Sequence, residues 1–146
     1  MQDKTGTYEQ INTLGKSPLE LVIKVYDGAI TAYQKATECY RDQRFDDGHA
    51  QLERGRKFMT HLYTTLDNEK GGEIANNLGR LYAFIINQTD VAQATKDTTV
   101  IIGNIKILRK LREGWAGIQE TSDVEPGVTN DEPALAEVHD GFTTTG

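Results

Sequence analysis

Four stretches in which apolar residues recur every three or four positions, separated by short polar breaks, constrain the fold of this chain more than any other feature. The first opens at Ser17-Pro18-Leu19-Glu20. A serine N-cap, a proline at the first helical position and a glutamate placed to reach back all satisfy one helix terminus. Its stripe runs Val22, Tyr26, Ala29, Tyr33, Ala36 and Tyr40, widened by Leu21, Ile23, Val25 and Ile30. After Arg44, Asp46 is placed to cap a second helix with inner face Leu52, Gly55, Met59, Leu62 and Leu66, and with Phe58 and Tyr63 beside it. Residues Asp67 to Gly72 break the pattern, and a third helix follows through Ile74, Leu78, Leu81, Tyr82 and Ile85. A fourth starts near Asp97 and carries Ile101, Leu108, Leu111, Trp115 and Ile118. Helices of about 18 to 24 residues with short links predict an all-α antiparallel four-helix bundle.

The bundle is expected over about 17–120, within one domain spanning 1–120. Residues 1–16 form a polar arm whose Tyr8, Ile11 and Leu14 recur every third position. From Thr121 the composition changes: Pro126, Gly127, Pro133 and Gly141 appear, apolar residues become too sparse to repay ordering, and a disordered acidic tail is expected over 121–146. The formal charge of −6 resides there: six of the 22 acidic residues follow Thr121, and all 16 Lys and Arg precede it. The body is neutral by count, so it offers no basic footprint for nucleic acid. The single cysteine, Cys39, has no intrachain partner and fits a reducing compartment. The N-terminus lacks a signal-peptide core and no apolar run approaches the roughly 18 residues of a span, which predicts an unexported protein without membrane insertion.

A search for chemistry comes back empty. Carboxylate-bridged metal bundles need paired Glu-x-x-His motifs, and none occurs here. His49 with Asp46 and Glu53 is a grouping that chance supplies on a polar helix, and no metal or other cofactor is expected. Histidine phosphotransfer would need a solvent-facing imidazole near cations; His49 with Arg54, Arg56 and Lys57 fits superficially, but a solvated helix face accounts for it better. Gly71-Gly72 lacks the strand, the glycines and the lysine of a phosphate loop and reads as a turn. Glycine inside helices is the remaining oddity. Gly28, Gly55, Gly79 and Gly103 fall one per helix, each at a cost of about 1 kcal/mol relative to alanine, to be offset by close helix contact or by a groove for a partner. The wide stripes on the first and fourth helices suggest surface left over for such a partner.

Three stretches resemble a known family. Ser17-Pro18-Leu19-Glu20 leading to Tyr26-Asp27-Gly28-Ala29-Ile30 is similar to the helix-one signature of the flagellin-specific chaperone family FliS. Leu66-Asp67-Asn68-Glu69-Lys70-Gly71-Gly72-Glu73-Ile74-Ala75-Asn76-Asn77-Leu78, followed by Leu81-Tyr82, resembles its second signature, and Leu111-Arg112-Glu113-Gly114-Trp115 resembles the end of its fourth helix. The match covers about residues 8 to 120, in order. It implies a non-enzymatic cytoplasmic chaperone that binds the C-terminal segment of unassembled flagellin, prevents premature polymerisation, and works with the export apparatus, with export-gate components as further partners. The resemblance also implies that the N-terminal arm lies over part of the client groove. Flagellin contacts are expected at Tyr8, Ile11, Leu66, Ile74, Asn77, Leu78, Leu81 and Tyr82. Asp27 and Gly28 read as structural, and Trp115 as core filler or anchor. The alternatives are a helical adaptor for another client and a phosphotransfer bundle.

Overall fold

In a computed structural model the described residues are 17–124, and they form four helices and no strand. The arm with Tyr8 and Ile11, and the tail beyond Val124, lie outside the described residues. Helix α1 spans Pro18–Arg41 and begins with the expected capping box: the Glu20 amide donates to Ser17 Oγ (3.1 Å), and the Ser17 amide donates to Glu20 Oε1 (2.8 Å). Helix α2 spans Phe45–Thr64 and starts one residue before the anticipated cap. Arg44 occupies the N-cap position without a side-chain bond, because the preceding turn is closed by backbone bonds through left-handed Gln43 (φ 62°). Asp46 and Asp47 instead face the positive end of the helix from its first turn.

Helix α3 spans Asn68–Thr95, with the Asp67 carboxylate accepting the Glu69 and Lys70 amides, both at 3.1 Å. One turn later the helix is interrupted at Gly72, whose φ of 56° and ψ of −131° are open only to glycine. The break expected between Asp67 and Gly72 is therefore a capped turn followed by a kink. Helix α4 spans Thr98–Val124, behind Asp97. It continues past the composition change at Thr121.

The helices form a ring in which α1 and α3 each pack between α2 and α4. The backbones of the diagonal pair α1 and α3 do not approach closely. They are joined across the core by long side chains, Tyr26 Oη to Tyr82 Oη (2.5 Å) and Tyr33 Oη donating to Thr89 Oγ1 (2.7 Å). Thr89 spends its own proton on the Ile85 carbonyl (2.7 Å), and Asn104 Nδ2 donates to the same carbonyl and to Thr89. Around this polar column Leu52, Met59, Ile85, Ile101, Leu108 and Leu111 are fully buried. Burying side chains of this size contributes about 1.5–3 kcal/mol each.

Helical glycine has two origins here. A Cβ on Gly55 would stand 2.8 Å from the Tyr33 ring, and one on Gly28 would stand 2.6 Å from Phe58, so both mark close contact of α1 with α2. Gly103 has open space instead. Asp27, on the same turn as Gly28, receives Arg112 Nε (2.5 Å) and Nη2 (3.3 Å), which ties α1 to α4.

Candidate functional site

At one end of the bundle, where α1 begins, α2 ends, α3 begins and α4 nears its end, the helices leave a cavity of about 400 Å³. Val22 of α1, Leu62, Thr65 and Leu66 of α2 and its exit, Ile74, Ala75, Leu78 and Tyr82 of α3, and Trp115 of α4 line it, with Asp67 and Lys70 among the polar positions. The Asp67 cap and the Gly72 kink produce the opening, because an uninterrupted α3 would keep its first turn on the same axis as Ile74 and Leu78. At the cavity's inner side Tyr82 meets Tyr26 edge-on, with ring centroids 6.3 Å apart, and Trp115 tilts against Tyr26 at 6.5 Å. Burial raises the Tyr82 hydroxyl to about 12 and pushes Tyr26 well above the ordinary phenol value, so both stay protonated across the neutral range.

Leu66, Ile74, Leu78 and Tyr82 are thus brought together on one wall. Asn77 is buried elsewhere and accepts Arg80 Nη1 at 3.4 Å, while Leu81 is half-buried against the core; neither lines the cavity. Val22, Leu62, Thr65 and Lys70 also line it, and sequence reasoning did not single them out as contacts. Their signal was the Gly71-Gly72 pair, which marks where the end of the bundle opens.

A second concavity of about 280 Å³ lies on the outer side of α2 and α3, lined by Tyr63, Leu66, Ala75, Asn76, Gly79, Arg80 and Ala83. Leu66 and Ala75 belong to both, so the two concavities adjoin around the end of α2. The large apolar side chains most exposed among the described residues are Phe45, Tyr63, Phe84 and Val91. They sit on α2 and α3, so the most exposed apolar surface lies there, while the first and fourth helices contribute the partly buried Val22 and Trp115 to the cavity wall. On α1, Ile23, Tyr26, Ile30 and Tyr33 are buried between two close neighbours, whereas Leu21, Val22 and Val25 stay partly exposed, Val22 at the cavity.

His49 is half-buried and bonds through Nδ1 to the Tyr40 hydroxyl at 2.6 Å, with the rings edge-on. It is a packing residue at the far end of the bundle, not a solvated one. Among the described residues no three His, Cys, Asp or Glu side chains are grouped to hold a metal ion, and no helix is long and apolar enough to cross a membrane.

Residues 1–122 match the family of the flagellar protein FliS. The chain is 31% identical over 107 residues to a flagellar secretion chaperone FliS of Salmonella typhimurium, covering 72% of this chain and 78% of that protein. It is 26% identical over 119 residues to a flagellar secretion chaperone FliS of Campylobacter jejuni, covering 82% and 93% of the two chains. A crystal structure of a bacterial flagellar chaperone superposes with a TM-score of 0.69 at 20% identity, over 81% of this chain and 98% of that one, and so shares the fold. With the motifs in helical register and the family match spanning most of its length, the chain belongs to the FliS family of flagellar secretion chaperones.

Proposed function

We propose that this protein is a cytoplasmic export chaperone that binds the C-terminal segment of unassembled flagellin, seating it in the end cavity and along the groove between α2 and α3. The observation that carries the reading is that the two concavities adjoin at Leu66 and Ala75, which sets apolar lining side by side for a partner helix or extended segment. Burying an amphipathic segment there repays the order imposed on it and hides the apolar strip through which subunits pack. The complex is then passed to the export apparatus.

Titration calorimetry with full-length flagellin and with flagellin lacking its C-terminal segment tests the reading. Near-stoichiometric binding of the first and none of the second is expected. Equal binding of both would reject it. Leu66→Asp places a charge at the junction of the two concavities and is expected to weaken binding at least tenfold, with far-UV circular dichroism unchanged.

A further inference from the structure

Acids and bases are mixed along α1, α2 and α3, but the first half of α4 carries one sign only. From Thr98 to Arg112 it holds Lys106, Arg109, Lys110 and Arg112 and no acid. Arg112 pairs with Asp27 of α1. Lys106, Arg109 and Lys110 are three and four residues apart and so share one face of the helix. All three are exposed, and among the described residues none of them forms an ion pair. Arg56 on α2, by contrast, is held between Glu53 and Asp90. Lys106 and Lys110 stand one turn apart and repel each other, so an anion placed between them relieves that repulsion. One turn earlier on the same face lies half-buried Ile102, beside Gly103, where a Cβ would meet nothing within 4 Å. The strip is therefore basic, with an apolar and unobstructed end.

The complementary sequence is in the same chain. Beyond Val124 stand Glu125, Asp131, Glu132, Glu137 and Asp140, with no Lys or Arg, and Leu135 and Val138 lie among the last of these acids. The reach is sufficient. From Val124 back to Lys110 and Lys106 is about 21 to 27 Å along the helix. Extended chain from Val124 covers about 26 Å by Glu132, and Glu137 and Asp140 reach further. A link this short holds the acids beside the strip at millimolar effective concentration. Surface ion pairs are individually weak, but at that concentration several together populate the contact, and an acidic segment on any separate partner would bind against this internal competitor.

We propose that the outward face of α4 at Lys106, Arg109 and Lys110 is a docking strip for this chain's own acidic segment, residues 131–140, which turns back along the helix and neutralises it. The carboxylates meet the three cations, and Ile102 with the space at Gly103 receives the apolar side chains between them. None of the three cations lines the end cavity, so docking screens the basic face without filling the client site, and the client reading does not depend on it.

Paramagnetic broadening in the full-length protein tests the contact. Thr143→Cys carries a nitroxide just past the last acid, while Cys39 is buried and does not compete for the reagent. In isotope-labelled protein at low salt, the amide signals of α4 around Lys106 to Lys110 are expected to broaden more than those of the other helices. They should recover at about 1 M salt, where the screening length falls to about 3 Å. Reversing the strip with Lys106→Glu, Arg109→Glu and Lys110→Glu together is expected to abolish the broadening. Lys24→Glu, Lys35→Glu and Lys57→Glu together reverse three exposed lysines on α1 and α2, change the net charge equally, and are expected to leave it in place. Equal loss in both triple variants would reduce the contact to general attraction and overturn the proposal, as would no broadening on α4 at low salt or broadening that persists at high salt. Mixing isotope-labelled chains that lack the nitroxide with unlabelled chains that carry it should leave α4 sharp; broadening there would assign the strip to the acidic segment of a second copy and refute the internal contact.

Discussion

Alanine at three helical glycines gives three different outcomes, and the differences follow from what a methyl group would meet. At Gly55 the new Cβ stands 2.8 Å from the Tyr33 ring. That ring is fully buried and held by its bond to Thr89, so it cannot swing aside. Overpacking of this kind costs about 1–3 kcal/mol, against about 1 kcal/mol gained in helix propensity. At Gly28 the approach to Phe58 is closer, 2.6 Å, but Phe58 is half-buried and its obstructing atoms are the far end of the ring. A small rotation relieves the clash, so the two contributions nearly cancel. At Gly103 nothing lies within 4 Å, and only the propensity gain of about 1 kcal/mol remains. The expected order of stability is Gly103→Ala above wild type, Gly28→Ala near it, and Gly55→Ala lowest, up to about 2 kcal/mol below wild type. Thermal unfolding followed by far-UV circular dichroism reads this as shifts of about 4 °C or more per kcal/mol, and urea unfolding followed by Trp115 fluorescence provides an independent midpoint. If Gly55→Ala is more stable than wild type, or Gly103→Ala is destabilised, the packing argument fails.

Alkaline pH is expected to destabilise the protein through its buried tyrosines. Desolvation raises Tyr33 and Tyr82 to about 12, whereas the unfolded chain releases these protons near 10, so their contribution is complete below pH 10 and is lost between 10 and 12. At about 1.4 kcal/mol per pKa unit each site carries roughly 3 kcal/mol. Melting temperature measured against pH should stay flat to about 9.5 and then fall with tyrosinate absorbance; a flat profile to pH 12 would contradict it. Gly72→Ala forces a side chain into a backbone conformation only glycine adopts and is expected to cost about 1–3 kcal/mol and to reshape the cavity; circular dichroism and flagellin titration would report both, and an unchanged melting temperature would refute the strain. Arg112→Leu removes the pair with Asp27, but both side chains are about 40% exposed or more, so despite its place in a family motif the loss should stay under about 1 kcal/mol; a larger drop in urea midpoint would show the pair to be more than a surface tie.

What sequence could reveal depended on whether the determinant was local. The Ser17-Glu20 capping box and the Asp97 start were legible because the bonds involve neighbours in the chain. The start of α2 was misplaced because a left-handed Gln43 closes the preceding turn, and glutamine carries no mark of that conformation. Thr89 and Asn104 read as ordinary polar helix residues, yet both are buried: Thr89 takes the Tyr33 hydroxyl across the diagonal of the ring and Asn104 donates to Thr89 beside it. The site divided in the same way. Periodicity put Leu66, Ile74, Leu78 and Leu81 on one side of their helices, but the kink at Gly72 decides which of them face the opening and which face the core. The most exposed apolar side chains lie on α2 and α3 because burial depends on which helices are neighbours, which no single stripe encodes.

An even number of alternating helices brings the chain back to where it started, and this has a practical consequence for anyone handling the protein. Ser17 and the last turn of α4 share the end that holds the cavity, so a label attached next to either point would sit beside the opening. The opposite end carries only the turns at 42–44 and 96–97. The single thiol, Cys39, is buried there, so Asp42→Cys in the exposed turn would offer maleimide reagents one accessible cysteine. A chain tethered or dye-labelled at that point presents its cavity outward, unobstructed, for binding measurements on a surface or one molecule at a time.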